Sequence, residues 1–145
     1  MSTRAFDVIV FGATSFVGEI LCRYLLDRFG VGGELRWAIA GRSESKLQQL
    51  QANLGGDAAR LPRLIADVSD TGALRQLCQQ TKVVITTVGP YALYGEPLVA
   101  ACADTGTDYC DLTGEAQWIR LMLDRYEAHA RETGARIVHC CGFDS

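Results

Sequence analysis

The chain has 145 residues, 48% of them hydrophobic, enough for one buried core and for one domain as the expectation. A net charge of -3 lacks the basic excess of a general nucleic-acid binder, so no nucleic-acid partner is expected. No apolar run approaches the length of a transmembrane segment, and the N-terminus lacks the layout of a signal peptide, which together predict a cytoplasmic protein.

The first predicted element is a strand from Phe6, a β-branched and aromatic run that stops at Gly12. A helix follows from about Phe16, with Val17, Ile20, Leu21, Tyr24 and Leu25 on one face. After a loop at Gly30-Val31-Gly32-Gly33, Leu35 to Ala40 reads as the second strand, closing on Gly41-Arg42-Ser43. Ser43 suits the N-cap of a helix running to about Asn53 through Lys46, Leu47 and Leu50. The third strand is Leu61 to Ala66, with Asp67 after it, and Ser69 or Asp70 caps the helix carrying Leu74, Leu77 and Cys78. Lys82 to Val88 is nearly all apolar or β-branched, as suits a central parallel strand covered on both faces. A loop from Gly89 to Gly95 leads to a helix starting near Glu96 or Pro97. Asp108 to Leu112 is a short fifth strand, and a long helix runs from about Ala116 to Glu132 with Trp118, Ile119, Met122, Tyr126 and His129 at helical spacing. Gly134 closes it, and Arg136 to Cys140 is the sixth strand.

Six strands alternating with helices predict an α/β fold, a doubly wound parallel sheet. The glycine turn after the first strand makes 3-2-1-4-5-6 the expected order. With no secretion signal, the six cysteines read as reduced. Cys140 and Cys141 are neighbours in a predicted strand, which would point them to opposite faces, so no metal site is expected.

Strand, tight glycine turn and helix together make an anion site, because the first turn of the helix directs unsatisfied N–H groups at the turn. Gly12 permits the turn and Gly18 lets the helix lie close on the sheet, while Ser15 stands where a middle glycine is common. A serine there still offers its N–H to a pyrophosphate and adds a hydroxyl, but tolerates positive φ less well. On this reading, Gly12→Val abolishes nucleotide binding and spares the fold. The second strand ends beside the adenosine ribose in dinucleotide sites, where an acid selects NAD and an arginine pairs with the 2′-phosphate of NADP. Here Arg42 and Ser43 occupy that place, with Lys46 one turn on and no carboxylate before Glu44, so NADP is expected over NAD. Asp67 is read either as an adenine contact or as a helix cap. Gly89, Pro90 and Tyr91 begin the loop expected to flank the nicotinamide, where Tyr91 and Tyr94 either face the ligand or pack. Asp111, Thr113 and Glu115 either face a substrate or cap the next helix. His129 and His139 read as structural, and no residue reads as a catalytic acid or base. The tyrosine-to-lysine pair at a spacing of four, which short-chain dehydrogenases require, is absent: Arg42 and Cys78 precede Lys46 and Lys82 at that spacing.

Several motifs stand together in order: Gly12-Ala13-Thr14-x-Phe16-x-Gly18, Ala40-Gly41-Arg42, Val88-Gly89-Pro90-Tyr91-x-x-Tyr94-Gly95-Glu96, Tyr109-x-Asp111-Leu112-Thr113-Gly114-Glu115, and Cys141-Gly142-Phe143-Asp144-Ser145. In this combination the chain resembles the N-terminal NAD(P)-binding domain of the saccharopine dehydrogenase-like oxidoreductases, in the branch with the trans-acting enoyl reductases. The resemblance implies a Rossmann-type domain over residues 1–145, with Gly12, Thr14, Ser15, Phe16, Gly18, Arg42 and Gly89 as cofactor contacts. It also implies that the chain is a fragment, the substrate region following the Gly-Phe-Asp-Ser segment. The expected function is then to hold NADP for hydride transfer to a small-molecule or lipid-like substrate. A non-catalytic dinucleotide sensor or structural module fits the same motifs, and a homo-oligomer is compatible with them.

Overall fold

Alternate residues of a strand face opposite sides of a sheet, so a strand covered on both sides must be apolar at every position. From Val8 onward the first strand, β1 (Phe6–Phe11), does this in the computed structural model, which describes residues 4–142, while Asp7 near its start pairs with Arg36 and Lys82. Ile9 and Phe11 enter a core with Leu74, Leu77, Leu98, Val99, Trp118 and Met122, while Val10 enters a second one with Cys22, Leu25, Leu47 and Leu50. Helices therefore cover both faces.

The remaining elements are α1 (Phe16–Phe29), β2 (Trp37–Gly41), α2 (Glu44–Leu54), β3 (Arg63–Ile65), α3 (Thr71–Gln79) and β4 (Thr81–Thr86), then α4 (Tyr91–Tyr94), α5 (Glu96–Thr105), β5 (Asp108–Asp111), α6 (Ala116–Thr133) and β6 (Ile137–Val138). All strand pairs are parallel and the order is 3-2-1-4-5-6, as the sequence predicts. β1 lies centrally, with Val10 opposite Ile39 of β2 on one side and Ile85 of β4 on the other. The order reverses between β1 and β4, which opens a crevice above their carboxyl ends. Among the described residues, no helix is long and apolar enough to cross a membrane.

Four local features differ from the sequence reading. The buried side of α1 is Gly18, Cys22 and Leu25, whereas Phe16, Ile20 and Tyr24 are 84%, 55% and 58% exposed. Periodicity records that a face is apolar but not that it is covered. A 3₁₀ turn at Gly56–Arg60 shortens β3, and the loop after β4 contains the one-turn helix α4. β6 ends at Val138, because Cys140 takes φ +62 and the Cys141 N–H donates to the Asp111 carbonyl. His139, Cys140 and Cys141 thus lie past the last strand, and the opposite-faces argument does not apply to the two cysteines. Of the closing motif, Phe143, Asp144 and Ser145 lie outside the described residues.

Candidate functional site

The crevice above the carboxyl ends of β1 and β4 is a cleft of about 620 Å³. Its floor is the turn after β1. Gly12 takes φ +78, and a Cβ there would lie 2.5 Å from Val88 Cγ2 and 3.0 Å from Thr87 Oγ1. A Cβ on Gly18 would collide with the carbonyls of Gly12 and Ala13, so this glycine seats α1 against the turn from behind. The turn and the seating of α1 thus each require a glycine.

Ser15 has a role that its sequence position did not disclose. It sits at φ -70, so the concern over positive φ falls away, and its Oγ caps α1 by accepting the Gly18 N–H at 3.0 Å. The Thr87 hydroxyl donates to the Gly12 carbonyl at 2.8 Å. Since that proton is committed, Ser15 donates its own to Thr87 Oγ1 across 2.9 Å. The Ser15 N–H is bonded to the Gly12 carbonyl as well. The free donors of the turn are instead the N–H groups of Thr14, Phe16 and Val17, which have no acceptor among the described residues. They lie at the N-terminus of α1, where partial positive charge adds to their pull on an anion.

At one end of the cleft stand Gly41, Arg42, Asp67 and Ser69, at the ends of β2 and β3. The Arg42 side chain is exposed and has no hydrogen bond or ion pair among the described residues. Asp67 accepts from the Ser69 N–H and hydroxyl, both at 2.9 Å. Those two bonds, with the nearby Arg42 charge, hold its carboxyl below the usual range. Ser43 lies outside the cleft lining: its Oγ accepts the Lys46 N–H and caps α2.

The other end is made by Val88, Gly89, Leu93, Tyr94 and Pro97. Pro90 and Tyr91, expected beside a nicotinamide, do not line it. Tyr91 is buried, donates to the Thr86 carbonyl at 2.9 Å and accepts from the Leu112 N–H. Burial pushes its phenol up to about 12. The ring packs on Trp118, so Tyr91 holds the scaffold. Phe16 projects outward from α1, beside Ile20 and Tyr24, and its side chain does not line the cleft.

The residues after β5 form a supporting layer behind this end. Asp111 is fully buried and accepts from the Tyr109 hydroxyl at 2.7 Å and from the Thr113 and Cys140 N–H groups at 3.1 Å each. His139 Nδ1 lies 2.7 Å from the same carboxylate, and since an ionised carboxylate only accepts, Nδ1 carries the proton. Burial opposes the charge on Asp111, but the bonds from His139, Tyr109 and Thr113 outweigh it and hold the carboxyl below its ordinary value. Glu115 accepts from the N–H groups of Tyr91 and Ala92 at 2.7 and 3.0 Å, and Thr113 Oγ1 accepts the Glu115 N–H. None of the three caps the next helix through its side chain: Asp111 and Thr113 hold the turn after β5, and Glu115 caps α4 instead, so all three are engaged with the scaffold. His129 is structural as expected, Nε2 lying 2.6 Å from Asp104 Oδ1. Ser69, Thr87, Val88, Leu93 and Pro97 line the cleft without having been named as cofactor contacts from the sequence. Their common signal is position at the carboxyl end of a strand or in the loop that follows.

The family model described as the saccharopine dehydrogenase NADP binding domain matches residues 8–138. A Mycobacterium tuberculosis protein provisionally named a trans-acting enoyl reductase is 49% identical over 98% of this chain and 33% of its own length. A trans-acting enoyl reductase of Mycobacterium leprae is 46% identical over the same shares. The chain therefore spans about a third of the length of these relatives. Among solved structures, saccharopine dehydrogenase (L-Glu forming) of Saccharomyces cerevisiae superposes with a TM-score of 0.71 at 19% identity, over 94% of this chain and 27% of that one. The triphenylmethane reductase of a Citrobacter species, solved with NADP(H), gives 0.67 at 16% identity, over 92% and 48%. At such identities these two structures show the shared fold.

Proposed function

The chain belongs to the saccharopine dehydrogenase NADP-binding domain family, and on that premise we propose that its cleft holds NADP for an oxidoreductase whose substrate region lies elsewhere in a longer protein. The single observation that carries this reading is the pairing of the donor-lined turn with an uncommitted Arg42 at the end of β2. The N–H groups of Thr14, Phe16 and Val17 suit a pyrophosphate, and Gly12, having no Cβ, lets the turn that carries them close against Thr87 and Val88. Arg42 offers a planar fork to the 2′-phosphate, and the one carboxylate nearby, Asp67, is engaged with Ser69. Gly89 borders the far end, while Gly18, Ser43, Pro90 and Tyr91 serve the site through the backbone they hold.

When bound, NADP supplies a hydride donor or acceptor. The chain's own residues would bind and orient it, the turn after β1 and Arg42 at its phosphates and Gly89 beside its other end. The names of the relatives support a small unsaturated acceptor of the enoyl type as substrate. Six free cysteines suit a reducing compartment, in keeping with a cytoplasmic enzyme.

Calorimetric titration with NADP and, separately, NAD tests the cofactor assignment. NADP should bind about tenfold or more tightly, and Arg42→Asp should weaken NADP far more than NAD. Equal losses for both would remove Arg42 from the 2′-phosphate site.

A further inference from the structure

We propose that Tyr94 is the aromatic wall of the nicotinamide end of the cleft, the side chain by which this domain tells the whole cofactor from its adenosine half. The proposal rests on the NADP reading for the cofactor's direction along the cleft, with Arg42 and Asp67 at the adenosine end.

The argument is partly one of elimination. Among the described residues, and apart from the thiols of Cys140 and Cys141, which do not line the cleft, five titratable side chains sit at the ends of β4, β5 and β6 or between them and the next long helix: Tyr91, Tyr94, Asp111, Glu115 and His139. Four are committed within the protein. Tyr91 is buried and bonded to Thr86 and Leu112. Asp111 is enclosed by Tyr109, Thr113, His139 and Cys140. Glu115 caps α4, and His139 is tied to Asp111. Tyr94 alone lines the cleft, and its hydroxyl has no hydrogen-bond partner among the described residues.

Its surroundings suit a flat ring. Tyr94 is 43% exposed and its neighbour Leu93 is 71% exposed, and together with Val88 and Pro97 they give this end of the cleft an apolar lip. α4 is also held firmly for so short a helix. Glu115 takes its first two N–H groups, and Gly95, directly after Tyr94, packs so close that a Cβ there would lie 2.6 Å from the Trp118 ring. A side chain mounted this way meets a ligand without losing much freedom on binding. Base-on-aromatic stacking is worth about 1–3 kcal/mol by alanine substitution.

Calorimetry on Tyr94→Ala and Tyr94→Phe with NADP and with 2′-phospho-ADP-ribose, which lacks the nicotinamide, tests the proposal. Tyr94→Ala should weaken NADP by about tenfold and leave 2′-phospho-ADP-ribose within about twofold, while Tyr94→Phe keeps both near the unaltered protein. Equal loss for both ligands, no loss for either, or a loss in Tyr94→Phe as large as in Tyr94→Ala would overturn it. An unchanged thermal midpoint confirms that the exposed position leaves folding alone. The same pair of variants titrated with NAD and ADP-ribose gives the Tyr94 result even where the 2′-phosphate preference fails, so the two readings fall separately. Failure of every dinucleotide to bind would overturn both.

Discussion

Ser15 stands where a third glycine is common, and read as a sequence it looks like a compromise at the phosphate turn. In place it is the N-cap of α1 and the first link of a proton chain through Thr87 to the Gly12 carbonyl. A glycine would leave the turn open but uncapped. Ser15→Ala should cost about 1 kcal/mol, seen as a lower thermal midpoint, and should loosen Thr87. An unchanged midpoint would mean that water or Thr87 replaces the cap. Gly12 shows the opposite bias of sequence reading. The expectation that Gly12→Val spares the fold does not survive φ +78 and a Cβ lying 2.5 Å from Val88 Cγ2. That variant perturbs the β1–β4 junction as well as the phosphate site, so any loss of binding in it needs a folding control.

At the scale of elements, α1 and α4 are the two the site depends on. α1 brings its donors to the cleft because Gly18 lets it seat on the turn, and it does so with an apolar outer row of Phe16, Ile20 and Tyr24 in solvent. α4 is four residues long and could not persist alone. Its order comes from outside, from the Glu115 carboxylate on its first N–H groups and from Tyr91 packed on Trp118. Glu115→Ala should therefore destabilise the domain by roughly 1–2 kcal/mol and weaken NADP without touching it. Amide exchange over Tyr91–Tyr94 measures this directly: protection equal to the unaltered protein would show that Glu115 is dispensable to α4.

For the molecule as a whole, the carboxylates set the response to acid. Asp111 and Glu96 are both held below their ordinary values of 3.8 and 4.5, Asp111 by His139, Tyr109 and Thr113 against its burial, Glu96 by Tyr126 and then Arg125. A depressed folded-state pKa means that the unfolded chain takes the proton first as pH falls. Their contribution is thus complete above the ordinary values and is lost as pH drops through the folded ones. The thermal midpoint should be nearly level from neutrality to about pH 5 and fall below about pH 4. Asp111→Asn, which turns an amide nitrogen toward fixed donors, should cost roughly 2–4 kcal/mol at neutral pH. A midpoint that held down to about pH 3 would show that the Asp111 cluster contributes no net stability as an ion.

What the sequence determined by itself is the strand order, the glycine turn, the cap at Ser43, a cap at Ser69 or Asp70 that the structure places at Asp70, and the family. Each of these depends on residues close together in the chain: an apolar run, a positive φ, a side chain reaching three residues ahead. Only the tertiary structure decided which apolar face of α1 is covered, where β6 stops, and which of the two loop tyrosines meets the cleft. Tyr91 and Tyr94 lie three residues apart in one loop and look alike there. They are separated by Thr86, Leu112, Glu115 and Trp118, brought in from the end of β4, the loop after β5 and α6. Burial and hydrogen-bond partners over such separations are properties of the packed core, and no local pattern encodes them.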